Sequence, residues 1–243
     1  MSRLFYPTLL VLLGFSLKAR NPVDTSFYYR GESYYVIIPS YQYTSAIVLN
    51  TILKQQGAPT ISRSNFMAGL GFEDRWKWFN VGVDFVYGIN EHSNDKYYVY
   101  SPTLVSNIWL KYYVFKNKQK GGIYPFGGIA AINQHAFITD KNSSGNINQL
   151  FTQPGAVNMG LSTGFAQFGV GADAINFTKE DDVYFSFKMG YRLNIGSTSD
   201  NQWYINDQAN IVGSPTEKLN AFFIQLAIGY TSNRKSNKQL RTN

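Results

Sequence analysis

The chain of 243 residues has no cysteine, so it forms no disulfide and offers no thiolate to a metal. It has only two histidines, His92 and His135, and neither sits in a carboxylate constellation that would complete a metal centre. No phosphate-cradling glycine loop and no dinucleotide fingerprint is present. The net charge of +7 comes without a long basic run or zinc-finger spacing, so nucleic acid is not an expected partner. Charged residues make up only 15% of the chain. Beyond the first twenty residues no apolar run is long enough for a membrane-spanning helix. These absences leave no cofactor, metal or dinucleotide chemistry to expect.

The opening residues, "MSRLFYPTLLVLLGFSLKARNP", combine Arg3, an apolar stretch over Leu4–Leu17 and a small residue at Ala19. That is the layout of a secretory signal peptide over residues 1–19. Pro7 and the shortness of the apolar stretch argue against a retained anchor helix. The mature chain is therefore expected outside the cytoplasm.

What the chain has in abundance is aromatic residues, with 18 Tyr and 18 Phe. Both favour strands, and Tyr favours boundaries between wet and dry surroundings. Eight runs alternate with period two, as strands with two unlike faces must. They cover roughly Tyr34–Ser45, Ile61–Glu73, Trp76–Asn90, Tyr97–Phe115, Gly121–Ile138, Asn158–Phe177, Val183–Ile195 and Leu219–Thr231. In the seventh, Val183, Phe185, Phe187, Met189, Tyr191, Leu193 and Ile195 oppose Tyr184, Ser186, Lys188, Gly190, Arg192 and Asn194. In the third, Phe79, Val81, Val83, Phe85, Tyr87 and Ile89 oppose Asn80, Gly82, Asp84, Val86, Gly88 and Asn90. The connections after the second, fourth and sixth runs are short, and those after the odd-numbered runs are mostly longer. Short turns at one end and long loops at the other are the asymmetry of barrels in outer membranes.

A spanning sheet in lipid must close on itself, because hydrocarbon satisfies no exposed backbone group. Its outer face must then be apolar, and its inner face is free to be polar. Parity turns Glu73, Asp84, Lys111, Asp173, Lys188 and Arg192 inward, three acids against three bases. Centring the turn "TKEDD" between residues 180 and 181 sets Asp173 opposite Lys188. Eight strands enclose just enough space for side chains to fill, so the lumen is expected to be plugged. Aromatics clustered at the strand ends, including Trp76, Tyr112, Tyr113, Tyr124 and Tyr230 at the inner end, fit interfacial girdles. A soluble barrel would reverse the two faces, with its apolar side inward and its charges in water.

The stretches "VGVDFVYGIN", "YPFGGIAAIN", "FGVGADAINF", "FKMGYRLNIG" and "FFIQLAIGY" give the region from Ser33 to Ser232 a resemblance to a known family. The chain resembles the small outer-membrane β-barrels of the OmpA/OmpX type, in the flavour common in Bacteroidetes. The resemblance implies an all-β, eight-stranded antiparallel up-and-down transmembrane barrel over residues 20–232, with a basic periplasmic tail at 233–243. It implies the outer membrane of a Gram-negative bacterium, with membrane lipid and lipopolysaccharide as surroundings. Other outer-membrane or periplasmic proteins are expected partners, met through the external loops and the tail. The family's usual ending on an aromatic of the last strand is altered here, because Tyr230 is followed by the tail. The function expected is structural or interactive, for instance as an accessory subunit of a larger membrane complex. The two alternatives are a lipid A-modifying hydrolase and a narrow solute channel. A barrel hydrolase would carry a His-x-Ser stretch, whereas His135 is followed by Ala136 and Phe137. His135 with Ser101, on the neighbouring run, is the pair left to test for catalysis.

Overall fold

The computed structural model describes residues 31–45, 47–76, 79–117, 121–141, 156–177, 182–205 and 215–233. The expected leader at 1–19 and the tail from 234 onward lie outside the described residues. In chain order the elements are β1 (Gly31–Thr44), α1 (Leu49–Gln55), β2 (Ser64–Arg75), β3 (Phe79–Ser93), β4 (Tyr97–Tyr112) and β5 (Phe115–Asn117). They continue with β6 (Gly121–Asp140), β7 (Ala156–Phe177), β8 (Asp182–Asn194), β9 (Tyr204–Ile205) and β10 (Ala221–Asn233). Each of the eight alternating runs is one long strand. β5 and β9 are short additions, and β5 prolongs the β4–β6 hairpin beyond a bend at Tyr113–Val114.

The sheet is antiparallel throughout and closes. Its order runs β1–β2–β3–β4–β6–β7–β8–β10, and β10 pairs with β1. Following the facing residues around the cylinder leads from Gly31 through Arg75, Asn80, Lys111, Phe126, Gly169, Gly190 and Phe223 back to Gln42 on the starting strand. That return lies eleven residues further along β1, the stagger that tilts the strands and closes a barrel of this size. No backbone edge is left facing outward around the closed girth, which is the condition for sitting in hydrocarbon.

The alternation sets the two faces. In β8, Tyr184, Ser186, Lys188 and Arg192 are buried, while Phe185, Phe187, Tyr191 and Leu193 are exposed. In β2, Phe66 and Leu70 stand about two-thirds exposed (68% and 65%), while Asn65, Met67 and Glu73 on the other face are buried. This is the reverse of a soluble protein, and it identifies the outer surface as the one meant for lipid. Neighbouring aromatics pack on it across strands, Tyr34 with Phe72 and Tyr41 with Phe66, each at 5.1 Å between ring centres. β1 departs from simple alternation. A one-residue bulge between Ile37 and Ser40 turns both Ile38 and Pro39 outward, so the inward set shifts from Tyr35 and Ile37 to Ser40 and Gln42.

The connections differ between the two ends. At one mouth the strands follow each other closely, with β2 ending at Arg75 and β3 starting at Phe79, and β7 ending at Phe177 and β8 starting at Asp182. The β1–β2 and β8–β10 connections at the other mouth are long and carry α1 and β9. The β3–β4 connection is also at this outer end but spans only 94–96, because both strands extend further than their apolar pattern does. β6 and β7, of 20 and 22 residues, exceed the roughly 9–11 that a tilted crossing requires. The surplus rises at the outer end, where Thr139 faces Ala156.

Candidate functional site

Two clusters fill the lumen. The inner one centres on Lys111 of β4, whose Nζ donates to Asp173 Oδ2 on β7 and lies 2.8 Å from Glu73 Oε2 on β2. All three side chains are essentially shielded from solvent. Tyr113 and Tyr124 donate to Asp173 from β4's end and from β6. The Tyr184 hydroxyl lies 3.2 Å from both Glu73 and Asp173, and with one proton it donates to one of them at a time. Asn80 donates to Glu73 Oε1 at 2.9 Å. Each carboxylate therefore has both a cation and neutral donors, the arrangement that makes buried charge tolerable.

The second cluster lies further toward the outer end. Lys188 Nζ of β8 reaches Asp84 Oδ2 of β3 at 2.8 Å. β8 and β3 stand four strands apart in a ring of eight, so this one ion pair spans the diameter. Trp109 Nε1 and Asn107 Nδ2 also donate to Asp84. Asn107 Oδ1 accepts from Arg192 Nη2 at 3.1 Å, and Arg192 Nη1 donates to Gln42 Oε1 at 2.6 Å. Lys188 lies over the Trp109 ring at 4.3 Å and Arg192 over Phe223 at 4.0 Å. Small residues make this crossing possible. A Cβ on Gly82 would stand 2.3 Å from the Trp109 ring, and one on Gly71 would stand 2.2 Å from the Tyr35 ring.

All six charged residues expected inside are buried there, but the expected partnership of Asp173 with Lys188 does not occur. β7 and β8 pair with Gly171 opposite Lys188 and Asp173 opposite Ser186, two residues from the predicted register. Phe177 faces Asp182, so the axis of this hairpin sits one residue earlier than the centring between 180 and 181 predicts. A shift of two keeps every side chain on its face and changes only its neighbour. Arg75 is a fourth buried base that parity had not assigned, its Nη1 donating to Thr231 Oγ1 at 2.6 Å. Tyr113 and Tyr124, expected at the rim, point into the lumen instead.

The outer mouth is covered. Leu49 and Leu53 of α1 are buried with Ile47, Ile61, Trp203 and Leu219. Glu217 fastens this cap: its carboxylate accepts from the amides of Val48 and Leu49 at 2.8 and 2.7 Å and from Trp203 Nε1 at 3.2 Å. Burial pushes the Glu217 carboxyl above the ordinary glutamate value, although the three donors oppose that shift. Asn201 joins the cap to the barrel through Thr163 and Asn194, and β9 adds a short pairing to β7.

The His135–Ser101 pair does not converge. Ser101 is buried in the lumen and gives its hydroxyl proton to the backbone carbonyl of His135. The His135 ring belongs to the opposite face, stacked on Phe137 and edge-on to Tyr204. His92 lies near the exposed tip of the β3–β4 hairpin. Among the described residues no group of three or more His, Cys, Asp or Glu side chains is placed to hold a metal ion.

The chain has the fold of the small outer-membrane barrels. Solved structures with the same architecture include the attachment invasion locus protein Ail of Yersinia pestis, at 10% identity and a TM-score of 0.47 over 83% of this chain and 99% of that one. Neisserial surface protein A is similar at 11% identity and a TM-score of 0.39, over 82% and 96% of the two chains. OprG from Pseudomonas aeruginosa gives 12% and 0.38, over 84% and 94%. At such identities the likeness concerns fold alone. No family model and no curated protein matches the sequence.

Proposed function

We propose that the protein is an integral barrel of a Gram-negative outer membrane that acts by structure and interaction, as an accessory subunit of a larger membrane complex. The observation that carries this is the Lys188–Asp84 pair spanning the cylinder, with the folded cap above it. Side chains bonded across the diameter leave the lumen as packing, so activity has to reside on the outer surface or at the two mouths. The proposed partners are membrane lipid and lipopolysaccharide around the girth, and proteins at the cap or the inner mouth. The separation of Ser101 from the His135 ring speaks against hydrolysis at that pair.

Two measurements test the proposal. The purified full chain in planar bilayers is expected to show no steady conductance, and stable unitary currents would overturn the filled lumen. Cross-linking in intact membranes, followed by purification in mild detergent, is expected to recover a defined protein partner in fixed ratio. Recovery of the barrel alone from cross-linked membranes would reject the subunit role.

A further inference from the structure

The lipid face is not uniform. On β8 it carries Phe185, Phe187, Met189, Tyr191 and Leu193, and on β2 Phe66 and Leu70. The outward positions of three neighbouring strands differ. β6 presents Gly127, Ala131 and Asn133 there, β7 presents Ser162 and Gly164, and β4 presents Ser106. The registers set them side by side: Ser106 faces Ala131, which faces Gly164, and in the next row Asn133 faces Ser162. The glycines here look onto open space. A Cβ on Gly164 would find its nearest atom at 4.0 Å, and one on Gly127 at 3.8 Å, whereas those on Gly71 and Gly82 inside the lumen would collide. The result is a low shelf in a wall that is otherwise bulky.

Depth gives the polar groups of the shelf their meaning. Ser106 lies six residues from the outward-facing Tyr100 and six from the outward-facing Tyr112. Tilted strands climb about 2.5 Å per residue, so the stretch between those tyrosines covers about 30 Å, the thickness of the hydrocarbon. Ser106 therefore sits near the midplane. Asn133, opposite Leu104, lies four residues below the outer ring formed by Tyr100 and Phe137. No hydrogen bond joins the side chains of Ser106, Asn133 or Ser162 to another described residue. The Asn133 amide has two donor hydrogens and an acceptor oxygen, and acyl chains satisfy none of them.

We propose that the shelf is where two copies of the barrel meet in the membrane, about a two-fold axis along the bilayer normal that passes beside Asn133. An amide is its own complement. Across the axis each Asn133 donates to the oxygen of the other, and both are satisfied. Small neighbours are needed because two cylinders touch along a narrow line, and only low side chains let their walls approach. The strands tilt by about 40°, so β6 of one copy crosses β6 of the other at about 80°. Contact is then confined to a compact patch at the crossing, which is the shape of the shelf. The pairing rests on the membrane placement already proposed and is independent of any further subunit.

The test uses the full chain folded into phosphatidylcholine vesicles. The chain lacks cysteine, so one introduced thiol reports alone. With copper phenanthroline as oxidant, Ala131→Cys is expected to give a covalent dimer. Val36→Cys, outward on β1 and diametrically across the barrel from β6, is expected to give none. Energy transfer between copies labelled at Asp95→Cys, on the exposed β3–β4 turn, then follows association as lipid is added. Asn133→Leu should weaken association about eightfold, the value of two hydrogen bonds of average strength between membrane segments. Equal cross-linking at both positions, transfer no greater than that of randomly placed monomers, or an Asn133→Leu curve that coincides with the parent's refutes the pairing. Should Asn133→Leu fail to fold, Gly164→Leu raises a wall on the shelf where the barrel itself has room, and it should abolish transfer. Insertion is scored separately, by flotation with the vesicles and by gel shift. Folded monomers that float reject the pairing and keep the membrane barrel, whereas a chain that does not float rejects both.

Discussion

Replacing Lys111 by Met removes the cation that two buried carboxylates share. Glu73 would keep Asn80, Asp173 would keep Tyr113 and Tyr124, and the Tyr184 hydroxyl would donate to one of the two. Those donors satisfy oxygen lone pairs and leave the charges uncompensated. Breaking a buried pair by removing one partner costs about 3–5 kcal/mol, roughly two to three and a half powers of ten in the folding equilibrium. Here one ammonium serves two acids, so the upper part of that range applies. The triple variant Lys111→Met, Glu73→Gln, Asp173→Asn has no charge left to strand, and it should recover most of the loss. The assay is reversible urea unfolding in lipid vesicles, read by circular dichroism and by the gel shift of the folded barrel. A single variant within about 1 kcal/mol of the parent, or a triple variant no more stable than the single, would refute the shared-cation argument.

Phe187→Arg places a charge on the lipid face near the middle of β8 and should cost about 2–4 kcal/mol of folding into bilayers; an unchanged unfolding midpoint would mean that this row does not meet lipid. Gly71→Val drives a side chain into the Tyr35 ring and should cost about 1–3 kcal/mol. Gly127→Ala, on the outer face with its nearest atom at 3.8 Å, should be close to neutral in the same unfolding measurement. For the cap, the sign follows from the raised Glu217 carboxyl. The closed cap holds that proton more tightly than an opened one, so this contribution is complete below the ordinary glutamate value and fades as pH rises through the raised one. Amide exchange at Val48 and Leu49, corrected for intrinsic rates, should therefore be slower on the acid side, and Glu217→Gln should flatten the trend; protection that grows with pH would contradict it.

Much of the fold was legible because its physics is periodic. The β3 and β8 residues declare their faces every second position, and lipid outside with charge inside leaves little freedom in assigning them. Partnership was less legible. Asp173 was placed on the correct face and beside the wrong residue, since a turn two residues out of register preserves parity while exchanging neighbours. The long reach of Lys111 and Lys188 across the lumen joins strands distant in sequence, which no local pattern encodes. The β1 bulge escaped for a related reason: Ile38 and Pro39 both suit an outward position, so the pattern there reads as noise. Tyr113 and Tyr124 were assigned to a girdle because tyrosine suits an interface as well as it suits a buried carboxylate. The cap was hidden too, because Glu217 and Trp203 gain meaning only when two loops far apart in the chain meet.

The seam between β1 and β10 has its own consequence. Gly31 lies against Asn233, so the opening and closing staves of the cylinder run side by side for their whole height. A chain cut within one of the long outer connections, with a short peptide bridging the old ends, would trace the same cylinder in a rotated order. What the lipid sees has no beginning, and the position of the seam is a fact of synthesis that the finished wall does not record.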